Sequence, residues 1–275
     1  EIAVRIIRAC RELGIETVAV YSEADRQALH TRLADKAVCI GPSAINRSYL
    51  HIPSLLTAAR MSGADAIHPG YGFLSENAYF AEMCNAAGVT FIGPSPSAIQ
   101  LMGSKAAARK TMIAAAVPVV PGSEGIIEDL DGALAIAKEI GYPLLVKAAL
   151  GGGGRGMRVA REPGELRSAF QAAQREAATA FGDPRVYIEK YIEKHRHIEF
   201  QIIADKQGNL IYLGERECSL QRRNQKILEE APSPALTPGL RKEMGQAALK
   251  AARSVDYYSA GTVEFLLDKY GHYYF

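Results

Sequence analysis

Charge of neither sign dominates this sequence. It carries 32 Lys and Arg against 30 Asp and Glu, a net charge of +2. That excludes a general polyanion binder, because non-specific nucleic-acid affinity needs a large one-sided excess. Any basic site must be local. Cysteine is also scarce: Cys10, Cys39, Cys84 and Cys218 are far apart with no CxxC pair, so the spacing indicates neither a zinc site nor a disulfide framework. Nor is there an apolar run near the ~20 residues of a membrane span; the longest that includes a proline covers residues 112–120. No signal-peptide pattern opens the chain. The expectation is a soluble cytoplasmic protein with reduced thiols and neither a nucleic-acid nor a membrane partner. What is present is an ordinary globular composition, 48% hydrophobic and 23% charged over 275 residues, long enough to bury a core without staples.

The first hundred residues alternate regularly. Short apolar runs at 17–20, 37–40, 66–68 and 90–92 are separated by helical segments that include 52–61 and 78–87, the pattern of an open α/β domain with a parallel sheet. Ligands of such domains sit beyond the carboxyl ends of the strands, where the turn His68-Pro69-Gly70-Tyr71-Gly72 falls. After about residue 100 the character changes. Helices at 95–102, 104–115 and 130–140 lead to a strand at 143–148 and a glycine loop; antiparallel strands at 187–192, 197–204 and 210–216 follow, then a helix at 240–254 and a hairpin of 262–267 with 272–275. This reads as an α+β domain. Both ends predict an internal fragment. Ile2, Ala3, Ile6, Ile7, Cys10 and Leu13 open the chain as a helical face with no strand before it, and residues 272–275 break off within a strand.

Several motifs carry chemistry. Gly151, Gly152, Gly153, Gly154 and Gly156 surround Arg155, and residues 157–160 after them read as a strand rather than a helix. That excludes a dinucleotide fingerprint, and no Gly-Lys-Ser/Thr makes a Walker loop. Strand, glycine loop and strand form a flap whose bare N–H groups suit phosphates. Lys147, four residues earlier among apolar neighbours, is placed to offset phosphate charge. His197, Glu199 and Gln201 share one face of their strand and Ile198, Phe200 and Ile202 the other. Glu215 and Glu217 are expected on a similar polar face. Glu264 interrupts an apolar run and needs a partner, for which a hard cation such as Mg²⁺ is suited. Residues 221–226 read as a basic and amide loop for a small oxyacid, or as a solvated loop.

Together these segments resemble the biotin carboxylases of the ATP-grasp superfamily. The resemblance rests on HPGYGFLSEN at 68–77, MGSK at 102–105, Lys147 with the glycine flap, residues 189–192 and 196–199, QRRNQK through EEAP at 221–232, and GTVEF at 261–265. It implies an N-terminal α/β domain over 1–103, and an ATP-grasp domain over 104–275 with a lid at about 119–192. Lys105, Lys147, Gly151, Gly152, Gly153 and Gly154 resemble the ATP-phosphate site. Glu189, Lys190, Tyr191 and Ile192 resemble the adenine hinge, which acts largely through backbone groups. His197 resembles the residue near the ribose. Met157, Asn224 and Leu266 are also counted on the cofactor side, and Glu264 resembles a metal-ligating glutamate. Lys226 resembles the lysine that holds bicarbonate; Tyr71, Gly72 and Gln221 lie where the family keeps the biotin ring. The implied activity is ATP- and bicarbonate-dependent carboxylation of biotin through carboxyphosphate, with Mg²⁺ or Mn²⁺. Implied partners are a biotin carrier protein or domain, a carboxyltransferase and a second copy of the chain. Two departures stand out. Asn224 replaces the usual histidine, and the family's next segment, with its second metal carboxylate, arginine and general base, does not follow Phe275; the resemblance therefore implies that these 275 residues alone are inactive. The alternatives are another ATP-grasp ligase acting on a small acid, or a non-catalytic nucleotide-binding module.

Overall fold

The computed structural model describes residues 1–149, 157–222 and 225–275, without the side chain of Phe181. It contains two compact units, Glu1–Gln100 and Leu101–Phe275. In the first, α1 (Ile2–Glu12), β1 (Val18–Ser22), α2 (Leu29–Leu33), β2 (Lys36–Gly41), α3 (Ile52–Ser62), β3 (Ala66–Ile67), α4 (Ala78–Ala86) and β4 (Thr90–Phe91) alternate, and α5 (Pro96–Gly103) begins in this unit. The strands are parallel as expected, in two separate pairs, β1 with β2 and β3 with β4. Local chemistry marks the helix ends. Pro53 sits in the first turn of α3, where no N–H is needed, and Gly63 ends the helix at φ +69, a left-handed conformation that favours glycine. Asn77 caps α4 by accepting from the Phe80 N–H at 2.8 Å. Leu74, Phe80, Cys84, Phe91 and Ile99 form this unit's core.

The second unit holds α6 (Lys105–Ala114), α7 (Leu130–Ile140), β5 (Leu144–Ala148), β6 (Met157–Ala160), α8 (Pro163–Phe181), β7 (Val186–Lys190), β8 (Arg196–Ala204), β9 (Leu210–Arg222), β10 (Gln225–Glu230), α9 (Pro238–Arg253), β11 (Ser259–Leu267) and β12 (Tyr273–Tyr274). A three-stranded antiparallel sheet, β6-β5-β7, packs Leu144, Val146, Val186 and Ile188 against Leu166, Phe170 and Ala173 of α8 and Ala133 and Ala137 of α7. The sequence reading left α8 out. Its buried Leu166, Phe170, Ala173 and Ala177 nevertheless recur at helical spacing. The larger sheet runs β10-β9-β8-β11-β12. One face, with Ile198, Phe200, Ile202, Val263, Phe265 and Leu267, packs on Met244, Ala248 and Ala252 of α9; the other is open and polar.

The structure corrects two expectations here. The described residues of 221–226 lie in strands: Gln221 and Arg222 end β9, and β10 returns antiparallel with Lys226 opposite Gln221. Glu215 and Glu217 do not share the face of Glu199. They lie opposite Phe200 and Ile198 and are buried, whereas Arg216 is the residue across from Glu199. Among the described residues no helix is long and apolar enough to cross a membrane.

Gly245 is where α9 comes closest to the sheet. A Cβ there would stand 2.6 Å from Cζ of Tyr212, whose ring is held edge-on to Phe200 at 5.8 Å. Gly239, in the first turn of α9, has nothing within 4 Å of the same position. Gly245→Ala is expected to cost about 1–3 kcal/mol of unfolding free energy through overpacking, and Gly239→Ala to be neutral or stabilising. Urea unfolding of the two variants checks this; equal stabilities would contradict it.

Candidate functional site

The open face of the larger sheet is built around a buried carboxylate. Alternation along β8 turns Ile198 and Phe200 into the core and leaves Glu199 on the other face, where its side chain is only 4% exposed. Two cations neutralise it. Arg216, directly across on β9, donates Nε to Oε1 at 2.6 Å, and Lys226 on β10 donates to Oε2. Lys226 also reaches Oε1 of Glu264 at 2.8 Å, and Glu264 lies beside Glu199 on β11. His197 Nε2 stands 3.5 Å from the other oxygen of Glu264. Leu266 is paired with His197, and Gln221 donates to the Cys218 carbonyl at 2.9 Å. His197, Gln221, Lys226, Glu264 and Leu266 therefore share one neighbourhood. Arg216 and Glu199 complete it, and no site role had been read for either; the alternation of β8 was the available signal for Glu199, while that for Arg216 lay in a register no motif reveals.

Glu264 also differs from its sequence reading. Its neighbours Val263 and Phe265 point inward, but Glu264 points to the open side with 53% of its side chain exposed and the chain's own cations as partners. The His197 contact, with help from Lys226, holds its carboxyl down at about 2. Burial pushes Glu199 up, but bonds from Lys226 and Arg216 outweigh it and leave its carboxyl below the usual range. Lys226 is pulled down by burial and raised more strongly by Glu199 and Glu264, so it remains an ammonium.

A second cluster lies around a cleft of about 190 Å³ lined by Lys105, Arg109, Ser123, Arg185, Tyr187 and Glu189 among others. Lys147 on β5 donates to the Glu189 side chain on β7, with Met157 paired to Lys147 across β6. Lys105 opens α6 behind the Ser104 cap. Its ammonium is lowered first by burial and then by the charge of Lys147, against the pull of Glu189, so Lys147 stands close enough for the two charges to interact. Glu189 meets them with its side chain, not only through its backbone. Lys190 points elsewhere, its Nζ donating to the Tyr142 carbonyl at 2.7 Å. The N–H groups of Lys190 and Tyr191 are bonded to the carbonyls of Pro121 and Pro143; Ile192 follows directly after β7 and these bonds.

Tyr71 and Gly72 belong to the first unit. Tyr71 is 73% exposed, yet the turn beneath it is fixed. Phe73, at φ +52, stacks on Tyr49 with ring centroids 5.7 Å apart, and the Tyr49 hydroxyl donates to Asp25 at 2.6 Å. A non-glycine residue in the left-handed region is strained and persists only where its surroundings hold it. Gly151, Gly152, Gly153, Gly154 and Asn224 lie outside the described residues.

On the core side of β9, Glu217 accepts from Arg196 at 2.6 Å and from the Ser233 hydroxyl at 2.6 Å. Burial raises this carboxyl, but the bonds from Ser233, Arg196 and Ser219 prevail and lower it. A carboxyl lowered in the folded state contributes stability above the ordinary glutamate range and loses it as pH falls through the folded value. Glu217→Gln is therefore expected to cost about 1.5 kcal/mol at neutral pH, since the Arg196 left behind is half exposed, and to flatten the loss of stability on acidification below about pH 4.5, the ordinary value for glutamate. Urea unfolding at a series of pH values measures both; curves that stay parallel into acid would contradict the assignment.

Residues 1–99 match the family model of the biotin carboxylase N-terminal domain, and residues 104–275 match that of the carbamoyl-phosphate synthase L chain ATP-binding domain. Biotin carboxylase 1 of Bacillus subtilis is 62% identical over 268 residues, covering 98% of this chain and 60% of that one. The biotin carboxylase of a Nostoc species is 62% identical over all 275 residues and 62% of its own length. The crystal structure of a Campylobacter jejuni biotin carboxylase–β,γ-ATP complex superposes with a TM-score of 0.94 at 50% identity, over 100% of this chain and 61% of that one. The biotin carboxylase domain dimer of Hydrogenobacter thermophilus 2-oxoglutarate carboxylase, with MgADP, ADP and bicarbonate, gives 0.91 at 52% identity, over 100% and 60%. The chain thus spans about three-fifths of the length of these relatives. Its two matched segments, its identity to these relatives and its mixed α/β architecture make it a member of the biotin carboxylase family.

Proposed function

We propose that the protein carrying this chain is a biotin carboxylase, which uses ATP and bicarbonate to carboxylate biotin borne on a carrier protein or domain. The observation that carries this reading is the convergence of Lys226, Glu199, Arg216, Glu264 and Gln221 on one open sheet face, in the same unit as a cleft lined by Lys105 with Lys147 near it. Lys105 and Lys147 bind and offset the phosphate oxygens of ATP, as charge development in phosphoryl transfer requires. An ammonium has three donors. Lys226 commits two of them to Glu199 and Glu264, and the third is left for a bicarbonate oxygen. Glu264, ionised and half exposed, suits a hard divalent cation; when it serves one, Lys226 regains a second donor. Mg²⁺ or Mn²⁺ there supplies charge neutralisation for the transferring phosphoryl group. Gln221 orients the biotin ring through its amide. A carboxyltransferase partner, a homodimeric parent and the cytoplasm complete the proposal; the four free cysteines accord with a reducing compartment.

The test is ATP hydrolysis by the full-length protein with and without bicarbonate and free biotin. Hydrolysis is expected to require bicarbonate and to be stimulated by biotin, and Lys147→Gln to lower kcat by about two orders of magnitude. Bicarbonate-dependent hydrolysis that ignores biotin would reassign the protein to ligation of another small acid. ATP binding without any hydrolysis would make it a nucleotide-binding module.

A further inference from the structure

Beside the ion pairs of the open face lie donors of a different chemical kind. Cys218 is a free thiol with 0% exposure, next to the Glu217 that opposes Ile198. Nδ1 of His197 is buried and has no hydrogen-bond partner among the described residues, although an orphaned buried nitrogen costs free energy and calls for a ligand. One ligand atom each from His197, Glu199 and Cys218 lies within 4.8 Å of the others. These residues sit on adjacent strands β8 and β9, so the sheet holds the donors together although more than twenty positions separate Cys218 from His197 and no linear motif marks them.

We propose that His197, Glu199 and Cys218 form a binding site for a borderline divalent cation of the Zn²⁺ or Co²⁺ type. Sulfur and imidazole donors with one carboxylate select such ions over Mg²⁺, which takes oxygen ligands in octahedral geometry. An ion about 2.0–2.3 Å from each donor requires the three to contract only modestly from their present separation. His197 keeps 16% of its side chain exposed, which gives an ion a way in. As the metal–sulfur bond forms, the Cys218 thiol releases its proton to solvent. Glu199 has lone pairs enough to keep Arg216 while it accepts the ion, so Lys226 is the partner that gives way. This site adjoins the Glu264 position suited to Mg²⁺ but uses different donors, and it holds whether or not the protein carboxylates biotin.

The probe is Co²⁺, titrated into the full-length protein with Cys10 and Cys39 replaced by serine to remove the more accessible thiols. The expected result is saturation at about one equivalent with an intense thiolate-to-cobalt charge-transfer band, displaced by Zn²⁺ and not by a large excess of Mg²⁺. Cys218→Ser on that background is expected to abolish the band and weaken Co²⁺ binding at least about tenfold, the loss of one ligand. No charge-transfer band, a band that survives Cys218→Ser, or displacement by Mg²⁺ would overturn the proposal. Should Cys218→Ser fail to fold, zinc-edge X-ray absorption on the background protein decides. A sulfur neighbour at about 2.3 Å supports the site, and a shell of nitrogen and oxygen alone refutes it.

Discussion

Moving a carboxylate out of water costs several kcal/mol unless opposite charges and hydrogen bonds meet it where it is buried. Glu199 is such a group, and the open face of the larger sheet is organised by how that cost is met. Arg216 approaches from the neighbouring strand and Lys226 from the strand beyond. Because β10 is exposed along its whole length, its ladder to β9 and the bond from Lys226 to Glu199 are what tie this hairpin to the middle of the sheet. The same lysine bridges to Glu264 on the far side of Glu199. One buried charge thus fixes the position and protonation of an ammonium that would otherwise be a mobile surface group.

The opposite face of β9 solves the same problem with different partners. Glu215 receives Arg241 from α9 at 2.8 Å, and Glu217 receives Arg196 and Ser233. The Ser233 N–H also donates to Glu215 at 3.1 Å, so the segment after β10 is anchored at the point where it turns back toward α9. Inner-face pairs secure the hairpin's base and the outer-face pair orients Lys226. Truncating a single partner would leave a buried charge unpaired, which costs far more than the pair itself contributes. The smaller sheet follows a similar logic, with Lys147 and Glu189 on adjacent strands beside Lys105.

Much of this was legible in the residues. Strict alternation over 197–202 separated the polar from the apolar face of β8, apolar periodicity marked α1, and the strands expected on either side of the glycine loop are present as β5 and β6. The rest depended on pairing. Glu215 and Glu217 alternate with Arg216 in a way that suits either face, and only the register with β8 assigns the arginine to Glu199. The stretch 221–226 is polar enough to read as a loop, because both strands of its hairpin are largely exposed. Glu264 lay in an apolar run without revealing that its neighbours turn inward. The spacing of the four cysteines argued against a metal, whereas the sheet brings Cys218 beside His197 and Glu199. Sequence distance cannot report a juxtaposition made by strand order.

The central claim is that Glu199, through Lys226, sets the site at which bicarbonate is held. The most direct measurement is the KM for bicarbonate, alongside that for ATP, in the full-length protein and its Glu199→Gln variant. Loss of one charge-assisted positioning bond predicts a bicarbonate KM raised about tenfold or more, with the KM for ATP changed by less than about twofold because Lys105 and Lys147 are untouched. An unchanged bicarbonate KM, or an equal rise for both substrates, would contradict the account.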